Sequence, residues 1–598
     1  MADHPTISTE SDLASPALPA TAVTRRSLLG GASIAVGAAV LASPPGMPGV
    51  APAAAQTVGV SVDVRPLDAA FKRRAFEVRQ ACASNNEKIP IPPHPANGDE
   101  ARYTNKIGSD TRGLPHDKRG EVEQAAWQAF STACQSSDPA DFEKIPLGGT
   151  RKLVNPIGTQ AVSLSGLNAT QIAIPPAPAL ASAERAGEAV EVYWQSLLRD
   201  VPLTELRDDT SNRDVLAATE ELNKLADFRG PKSGGRVTPG TLFRANALYF
   251  DPTDAKGRSV TPPGVLDGPL ISQFLLRDVP YASQSISAQI RTALPASEFL
   301  TEYEEWLAIQ NGAAAKRRLQ FDATPRYITT GRDLAEYVRA GPALGWAAAL
   351  MLATPGGGTD QRYSGMYPLA EPISYPSNPY RKSKTQGPAG ATFGLAYVQA
   401  LLTTGISNSV RASYWQKYFV HRAVRPEAYG GLVHHRLANG VSDYPLHDSF
   451  LKSEALDRSK AKYGTYLLSQ TYPEAAPLHS TYPGGATGVG AVTATILKAF
   501  FDESRVIINP VQPDPADPTR LVPYTGPPLT VGGELNKLAV NFGFGRNWAG
   551  IHWRSDASAS MAIGEEVAIG MLRDERITLR EPFDGFSFTR FDGSRVTI

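Results

Sequence analysis

Cysteine is scarce in this sequence, with two residues, Cys82 and Cys134, in a chain of 598. That scarcity excludes a disulfide-dense scaffold and a cysteine-based zinc framework. A charge excess is also absent, because 59 Lys and Arg balance 59 Asp and Glu. Nucleic acid and anionic membrane surfaces both favour a basic excess, so neither is predicted as the main partner. No run of about 18 apolar residues follows the N-terminal region, so no membrane span is predicted there.

The N-terminal region has the features of an export signal. Arg25-Arg26 precedes an apolar, Gly/Ala-rich stretch at residues 28–42, and the small residues at 53–55 fit a cleavage site. We therefore predict a twin-arginine signal peptide and leader at residues 1–55, with export of the mature chain, residues 56–598, to the periplasm or beyond the cell. Export permits a disulfide bond, and the spacing of the two cysteines leaves their pairing open.

Helical periodicity dominates the mature sequence. Ser182 is placed to cap a helix whose apolar residues, between Ala186 and Leu197, recur at i, i+3, i+4 and i+7. Strand-like alternation is limited to short pieces, of which two predict a C-terminal hairpin at 587–598. These patterns predict one large all-α domain with minor β structure and long Pro/Gly-rich loops, or a division near residue 400. Further helices are predicted at 299–307, 334–338, 414–424, 486–501 and 548–572, and loops at 155–178, 354–390 and 509–533.

Basic residues and histidines collect towards the C-terminus, where six of the nine histidines lie between residues 421 and 552. In the first of three segments, Lys417, His421 and Arg425 follow an i, i+4, i+8 spacing that places them on one face of a helix. Pro426 disfavours helix at Arg425, so this side chain is predicted at the helix end, free to reach inward. Fixed cations on one side of an apolar helix suit an oxyanion, and the alternative is a solvated charged stripe.

The second and third segments supply further groups for an anion. The second is a Pro-Gly-Gly turn that leads into a helix, where the backbone N–H of Gly485 can approach an anion; the alternative is a plain loop. The third carries Arg546 and, four residues apart, His552 and Asp556. A carboxylate at that spacing can orient a histidine that binds a metal, and the alternative is a surface ion pair. Together the three segments predict an oxyanion cradle.

In this order the segments resemble the vanadium-dependent haloperoxidases, which belong to the type 2 phosphatidic acid phosphatase superfamily. Seven residues separate Lys417 from Arg425, which is similar to the red-algal bromoperoxidase type and its bacterial relatives. The third segment resembles the family pattern Arg-x3-Gly-x-His-x3-Asp. Its matching residues are Arg546, Gly550, His552 and Asp556.

The resemblance implies two four-helix bundles around a vanadate site, which phosphate can also occupy. It implies that cationic side chains and one backbone N–H neutralise the anion, that one histidine binds the metal with a carboxylate behind it, and that a second histidine handles protons. Lys417, Arg425, Arg546 and the backbone N–H of Gly485 would neutralise the anion, and Lys417 would also polarise it. His552 would bind the metal, with Asp556 behind it. His479 would handle the protons. The implied partners are hydrogen peroxide, a halide and a small organic acceptor. Relatives also bind calcium, for which no ligands are assigned here, and form homo-oligomers.

The second segment departs from the family pattern Pro-Ser-Gly-His. Gly484 replaces the serine that bonds vanadate, Ala486 replaces the histidine that handles protons, and Gly545 replaces a serine before the third segment. A lost charge-assisted hydrogen bond costs about 1.5–3 kcal/mol, and a lost acid/base group costs roughly 10²–10⁴ in rate. The principal prediction is therefore a haloperoxidase in which His479 is the surviving acid/base candidate. The alternatives are a phosphoesterase with His552 as nucleophile and a non-catalytic or repurposed oxyanion-binding homologue.

Overall fold

Long helices build most of the molecule, as the periodicity of the sequence predicts. The predicted leader and most of the predicted loop at 354–390 lie outside the described residues. Within the described chain, residues 68–598 form one compact unit, and the all-α fold class is confirmed. The structure, a computed structural model, describes residues 65–207, 210–281, 284–339, 344–353, 375–387 and 390–598.

The helices are separated by loops and hairpins of varied length. The first ten are α1 (Arg65–Glu87), α2 (Asp99–Arg102), α3 (Gln124–Ser136), α4 (Pro139–Phe142), α5 (Ala183–Leu198), α6 (Arg213–Lys224), α7 (Gln273–Leu276), α8 (Tyr303–Gln310), α9 (Gly331–Arg339) and α10 (Leu344–Ala353). The others are α11 (Leu395–Gln416), α12 (Pro426–Ala438), α13 (Asp448–Leu451), α14 (Glu454–Tyr463), α15 (Gly485–Phe500), α16 (Val531–Trp548) and α17 (Arg554–Thr578). Short 3₁₀ turns lie at Ile157–Gln160, Ala169–Gln171, Leu203–Glu205 and Pro379–Arg381, and a π-helical turn at Lys417–His421.

A four-helix bundle of α11, α15, α16 and α17 forms the centre of the fold, and α15 contacts the other three helices. Glycines allow the close approach: a Cβ on Gly564 of α17 would lie 2.4 Å from the carbonyl oxygen of Gly488 on α15. A second group of helices surrounds α5, which contacts α6, α13 and α14. The first bundle positions the residues of the three predicted segments.

Helix ends follow the capping residues that the sequence provides. The Ser182 hydroxyl accepts a hydrogen bond of 3.1 Å from the N–H of Arg185, which confirms the predicted start of α5. Gly312, with φ of +79°, follows the end of α8, where glycine is favoured. However, α8 begins at Tyr303 instead of residue 299, because the left-handed backbone of Leu300 (φ +59°) cannot belong to a right-handed helix.

In the part of the chain that the structure describes, the β structure consists of four antiparallel hairpins. The predicted C-terminal hairpin is confirmed, and another hairpin lies inside the segment 509–533 that was predicted as loop. The pairs are β1 (Ala247–Asp251) with β2 (Asp254–Val260), β3 (Val279–Tyr281) with β4 (Gln284–Ile286), β5 (Val511–Pro513) with β6 (Leu521–Pro523), and β7 (Ser587–Thr589) with β8 (Arg595–Thr597).

Two of the helices predicted near the candidate site are wrong in extent. The helix predicted at 414–424 ends with the π-helical turn, because Arg422 has a left-handed backbone with φ of 30°. The helix predicted at 548–572 is divided into α16 and α17. Gly550 lies between them with φ of +85°, a conformation that glycine adopts without steric penalty.

The two cysteines, whose pairing the sequence left open, are both free. Cys134 is buried, and Cys82 is half-buried. In the part of the chain that the structure describes, no helix has the length and apolar character that crossing a membrane requires.

Candidate active site

The chain turns between Lys417 and Arg425. Lys417 lies in the π-helical turn that extends α11, whereas Arg425 is extended (φ −79°, ψ 155°) and caps the start of α12. The prediction that both share one helix face with His421 is therefore wrong. Both side chains nevertheless reach the loop that precedes α15, where both donate to the carbonyl oxygen of Ser480.

Lys417 is fully buried against this loop. Its Nζ donates hydrogen bonds of 2.7 Å to the carbonyl oxygens of Ser480 and Thr481. Burial lowers the pKa of Lys417 well below its usual value, and the charge of Arg425 lowers it further. Since an ammonium group has three donors, these two bonds leave one donor for a ligand.

Arg425 joins the second predicted segment to the third. Its Nη1 donates to the carbonyl oxygen of Ile551 at 2.7 Å and lies 3.2 Å from Nε2 of His552. Its Nη2 lies 3.0 Å from both Nδ1 and the carbonyl oxygen of His479. One buried guanidinium thus fixes the relative positions of the two histidines.

His552 lies in the connection between α16 and α17, and Asp556 lies in the first turn of α17. The Nδ1–H of His552 donates to Oδ2 of Asp556 at 2.7 Å. Because a carboxylate can only accept, Nδ1 carries the proton and Nε2 keeps its lone pair. Oδ2 also accepts from the N–H of Trp553 at 2.9 Å and from the hydroxyl of Thr481. His552 is therefore held in the tautomer that a metal ligand at Nε2 requires.

Burial sets the protonation of these groups. It lowers the pKa of His552 to about 3, and the charge of Arg425 acts in the same direction. The pKa of His479 is lowered well below its usual value by burial and by the charges of Lys417 and Arg425. Burial alone would raise the pKa of Asp556, but the hydrogen bonds from His552 and Thr481 and the charge of Arg185 outweigh it and lower that pKa. At neutral pH the site thus contains two neutral imidazoles and one carboxylate behind them.

A cavity of about 220 Å³ lies beside these residues. Four predicted site residues line it, namely His479, Gly485, Arg546 and His552, while Lys417 and Arg425 lie outside its described wall. The described wall contains no carboxylate, and most of it is apolar. Its other residues are Val338, Ile406, Val410, Tyr414, Pro477, Ala486, Val489, Phe542 and Ile551.

The start of α15 adds backbone donors to the cavity. Gly485 and Ala486 are the first two residues of the helix and line the cavity, so no intrahelical carbonyl is available to their N–H groups. The amide of the preceding Gly484 is occupied, because it donates to the carbonyl oxygen of Asp556 at 2.8 Å. The predicted anion contact at Gly485 is thus free to form.

The three departures from the family pattern differ in the space around them. Ala486 is half-buried and faces the cavity. A Cβ on Gly484 would lie 3.2 Å from the carbonyl oxygen of Asp556, and one on Gly545 would lie 2.6 Å from Cγ2 of Val338. A serine therefore needs a small shift of α17 at 484 and a larger rearrangement at 545, whereas position 486 has open space beside it.

Three residues of the site have no role in the sequence-based prediction. Thr481 bonds Asp556, and Tyr414 packs its ring 4.7 Å from that of His479. Tyr414 is one helical turn before Lys417, so the i, i+3 spacing could have identified it. Arg112 lies in a segment that is far away in the sequence, and the residues around it do not indicate a role in the site. Its guanidinium forms ion pairs with Asp110 at 2.7 Å and Glu427 at 2.8 Å. It also donates hydrogen bonds to the carbonyl oxygens of Pro477 at 2.9 Å and His479 at 3.0 Å.

Comparisons with known proteins show which proteins this chain resembles in sequence and fold. Residues 398–574 match the model of the VCPO second helical-bundle domain. The chain is 31% identical over 517 residues to a vanadium-dependent bromoperoxidase of Ascophyllum nodosum, with 81% of this chain and 86% of that protein covered. The chain belongs to the vanadium-dependent haloperoxidase family. A bromoperoxidase of the same kind from Corallina pilulifera is 29% identical over 620 residues, covering 88% of this chain and 98% of that protein.

A solved structure supports the same family assignment, because its fold matches that of this chain. The homohexameric structure of the second vanadate-dependent bromoperoxidase from Ascophyllum nodosum matches with a TM-score of 0.79 at 27% identity. The match covers 92% of this chain and 94% of that chain. The family model ends at residue 574 and begins at residue 398, so Arg112 belongs to the part of the fold that the model does not cover.

The residues present suit a vanadate anion. The described cavity wall offers two imidazoles, one guanidinium and two unpaired backbone N–H groups without an opposing carboxylate. Elsewhere in the described residues, no cluster of three or more His, Cys, Asp and Glu side chains is placed to hold a metal ion. The expected calcium site therefore gains no assigned ligands.

Proposed function

We propose that this vanadium haloperoxidase-family protein uses hydrogen peroxide to oxidise a halide, which then halogenates a small organic acceptor. The observation that carries the proposal is His552: a neutral imidazole, oriented by Asp556, with Nε2 at a cavity that is lined by donors. Vanadate, when bound, would supply a Lewis-acidic centre that activates peroxide without changing oxidation state.

The side chains of this chain would divide the work of holding the anion. His552 would bind the metal through Nε2, and Asp556 would fix its orientation. Arg425, Arg546 and the N–H of Gly485 would neutralise the oxyanion. Lys417 would contribute its charge and its remaining donor, since its other two donors bond carbonyl oxygens of the loop. This arrangement is electrostatic preorganisation, because the donors are fixed before the ligand arrives.

Proton supply is the step at which this chain differs from its relatives. Oxidation of a halide by peroxide consumes one proton for each hypohalous acid and water formed. Because position 486 is alanine, His479 would transfer that proton. Both ring hydrogen bonds that His479 makes to described residues use Nδ1. Its Nε2 would therefore exchange protons with the cavity.

The apolar wall of the cavity supports the proposal that an organic molecule receives the halogen. Val338, Ile406, Val410 and Phe542 lie around the same space as His552. Apolar pockets with a few convergent polar groups are typical binding sites for small molecules. An acceptor with a small uncharged ring suits this wall better than a charged one.

Two further proposals concern the state of the protein in the cell. The twin arginines support export by the twin-arginine route. Replacement of Arg25 and Arg26 by lysine would block this export and leave the precursor in the cytoplasm.

The homohexamer formed by the solved relative supports a homo-oligomer here. Light scattering on the purified protein measures its mass directly.

A second candidate function is a non-catalytic or repurposed vanadate- or phosphate-binding protein, which Gly484 and Ala486 favour. Three assays separate the functions: bromination of monochlorodimedone with vanadate and peroxide, hydrolysis of p-nitrophenyl phosphate, and vanadate calorimetry. We expect bromination that requires vanadate and is lost in His552→Ala. Binding without turnover would support the second candidate, and hydrolysis without bromination would support a phosphoesterase.

A further inference from the structure

Tyr414 occupies a position on the cavity wall that none of the family patterns used above includes. It lies on α11, one turn before Lys417, and its ring centroid is 4.7 Å from that of His479. The Lys417 ammonium lies 6.0 Å from the centroid of the same ring. Tyr414 therefore lies beside one group that the proposed function assigns to proton transfer and one that it assigns to anion binding.

The hydroxyl end of Tyr414 points towards the start of α15. A Cβ on Gly485 would lie 3.2 Å from Cε1 of Tyr414 and 3.9 Å from Cδ1. Since Cε1 is bonded to the carbon that carries the hydroxyl, this end of the ring is the nearer one. The hydroxyl thus approaches the two residues, Gly485 and Ala486, whose N–H groups open into the cavity.

The hydroxyl of Tyr414 is protonated and makes no hydrogen bond to a described residue. Burial raises the pKa of Tyr414 above its usual value, and the opposing charges of Arg425 and Arg546 do not reverse this effect. A neutral phenol is a hydrogen-bond donor, and it adds to the cationic side chains and backbone N–H groups of the site.

We propose that Tyr414 is a catalytic residue of this protein: its phenol O–H donates a hydrogen bond to the oxyanion in the cavity. It thereby supplies a side-chain donor on the side where Gly484 and Ala486 have none. This inference rests on the proposed function, because the oxyanion is vanadate. The role is direct contact with the anion, in addition to the packing of the ring on His479.

The test is vanadate calorimetry on Tyr414→Phe, which keeps the ring and removes only the hydroxyl oxygen. We expect the dissociation constant for vanadate to rise roughly tenfold or more, as for a hydrogen bond to a charged group. The matched control is Tyr397→Phe on the same helix, where the hydroxyl donates to Glu575 at 2.7 Å, away from the cavity wall. Its vanadate affinity should equal that of the wild type.

Bromination kinetics give a second readout on the same proteins. With vanadate saturating, kcat of Tyr414→Phe should fall while the thermal midpoint of the vanadate-free protein stays the same. Wild-type vanadate affinity in Tyr414→Phe would overturn the inference and leave the proposed function intact. Absence of vanadate binding in the wild type would overturn both.

Discussion

At the scale of single residues, Ala486 is the position where one substitution should change activity most. Its side chain faces the cavity with open space beside it, so histidine fits there without moving α15. We expect Ala486→His to increase the bromination rate, by roughly 10²-fold if a complete acid/base group is restored. Monochlorodimedone assays at saturating vanadate measure this. Intact vanadate binding without any gain would show that the missing histidine is not the limiting defect.

Asp556 controls the histidine that the proposal assigns to the metal. Replacement by asparagine preserves size but removes the charge that supports the Nδ1–H of His552. We expect Asp556→Asn to weaken vanadate binding by roughly 10- to 100-fold, which is typical for a residue that orients a metal ligand. Calorimetry measures the change. Asp574→Asn is the matched control, because Asp574 is also buried on α17 but accepts from Gly166 at its far end.

His421 gives a prediction about pH. Its ring packs 4.8 Å from that of Tyr482, and neither ring nitrogen has a partner among the described residues. Burial lowers the pKa of His421 to about 3, helped by the charges of His94 and Arg422. Below about pH 6.5 the unfolded chain takes up a proton here that the folded protein does not. The free energy of unfolding therefore falls with decreasing pH.

Between pH 7 and pH 5 this histidine should reduce the free energy of unfolding by about 2 kcal/mol. His421→Leu removes the titration, so the variant should lose less stability than the wild type over the same interval. Urea unfolding at the two pH values measures both differences. Equal pH dependence in the two proteins would contradict the assignment.

At the scale of elements, the loop before α15 depends on a residue that is far away in sequence. Arg112 donates to three of its carbonyl groups, while Asp110 and Glu427 neutralise its charge. Arg112→Met would leave two buried carboxylates unpaired, so we expect a loss of about 3–5 kcal/mol in stability. Vanadate affinity should fall as well, because His479 is on that loop.

The control for this loop is Arg590→Met. Arg590 pairs with Glu565 and Glu566 at the C-terminal end of the molecule. This variant should lose stability without losing vanadate affinity at temperatures where it is folded. Equal affinity in Arg112→Met and the wild type would restrict Arg112 to a purely structural role.

The elements also show which parts of the structure are predictable from local sequence. The start of α5 and the C-terminal hairpin follow from short-range rules, namely a serine cap and an Asp-Gly turn. The breaks at Arg422 and Gly550 were missed, because a left-handed residue inside a helical pattern depends on tertiary contacts. The three site segments were identified from residue types and spacing. Arg112 was missed because it meets the site only through the fold.

At the scale of the whole molecule, the site exists only in the folded chain. Arg112, Lys417, His479 and His552 are brought together from positions that span most of the described sequence. A ligand that binds this arrangement has no equivalent site in the unfolded chain. It must therefore stabilise the folded state by mass action.

Vanadate at about 100 times its dissociation constant should therefore add about 2.7 kcal/mol to the stability of the folded state. Scanning calorimetry with increasing vanadate measures the rise in the unfolding temperature. His552→Ala should show no rise at the same concentrations. A rise of equal size in that variant would place the bound anion somewhere other than the proposed site.

The hydrogen bond from the amide of Gly484 to the carbonyl oxygen of Asp556 has a consequence for evolution. Because the backbone of Asp556 lies directly against Gly484, a serine at 484 would require a small shift of the residue whose carboxylate supports the histidine ligand. A histidine at 486 would project into empty space. A mutational path back to the complete family pattern is thus ordered: the change at 486 can come first and alone, whereas the change at 484 requires a compensating adjustment in its neighbour.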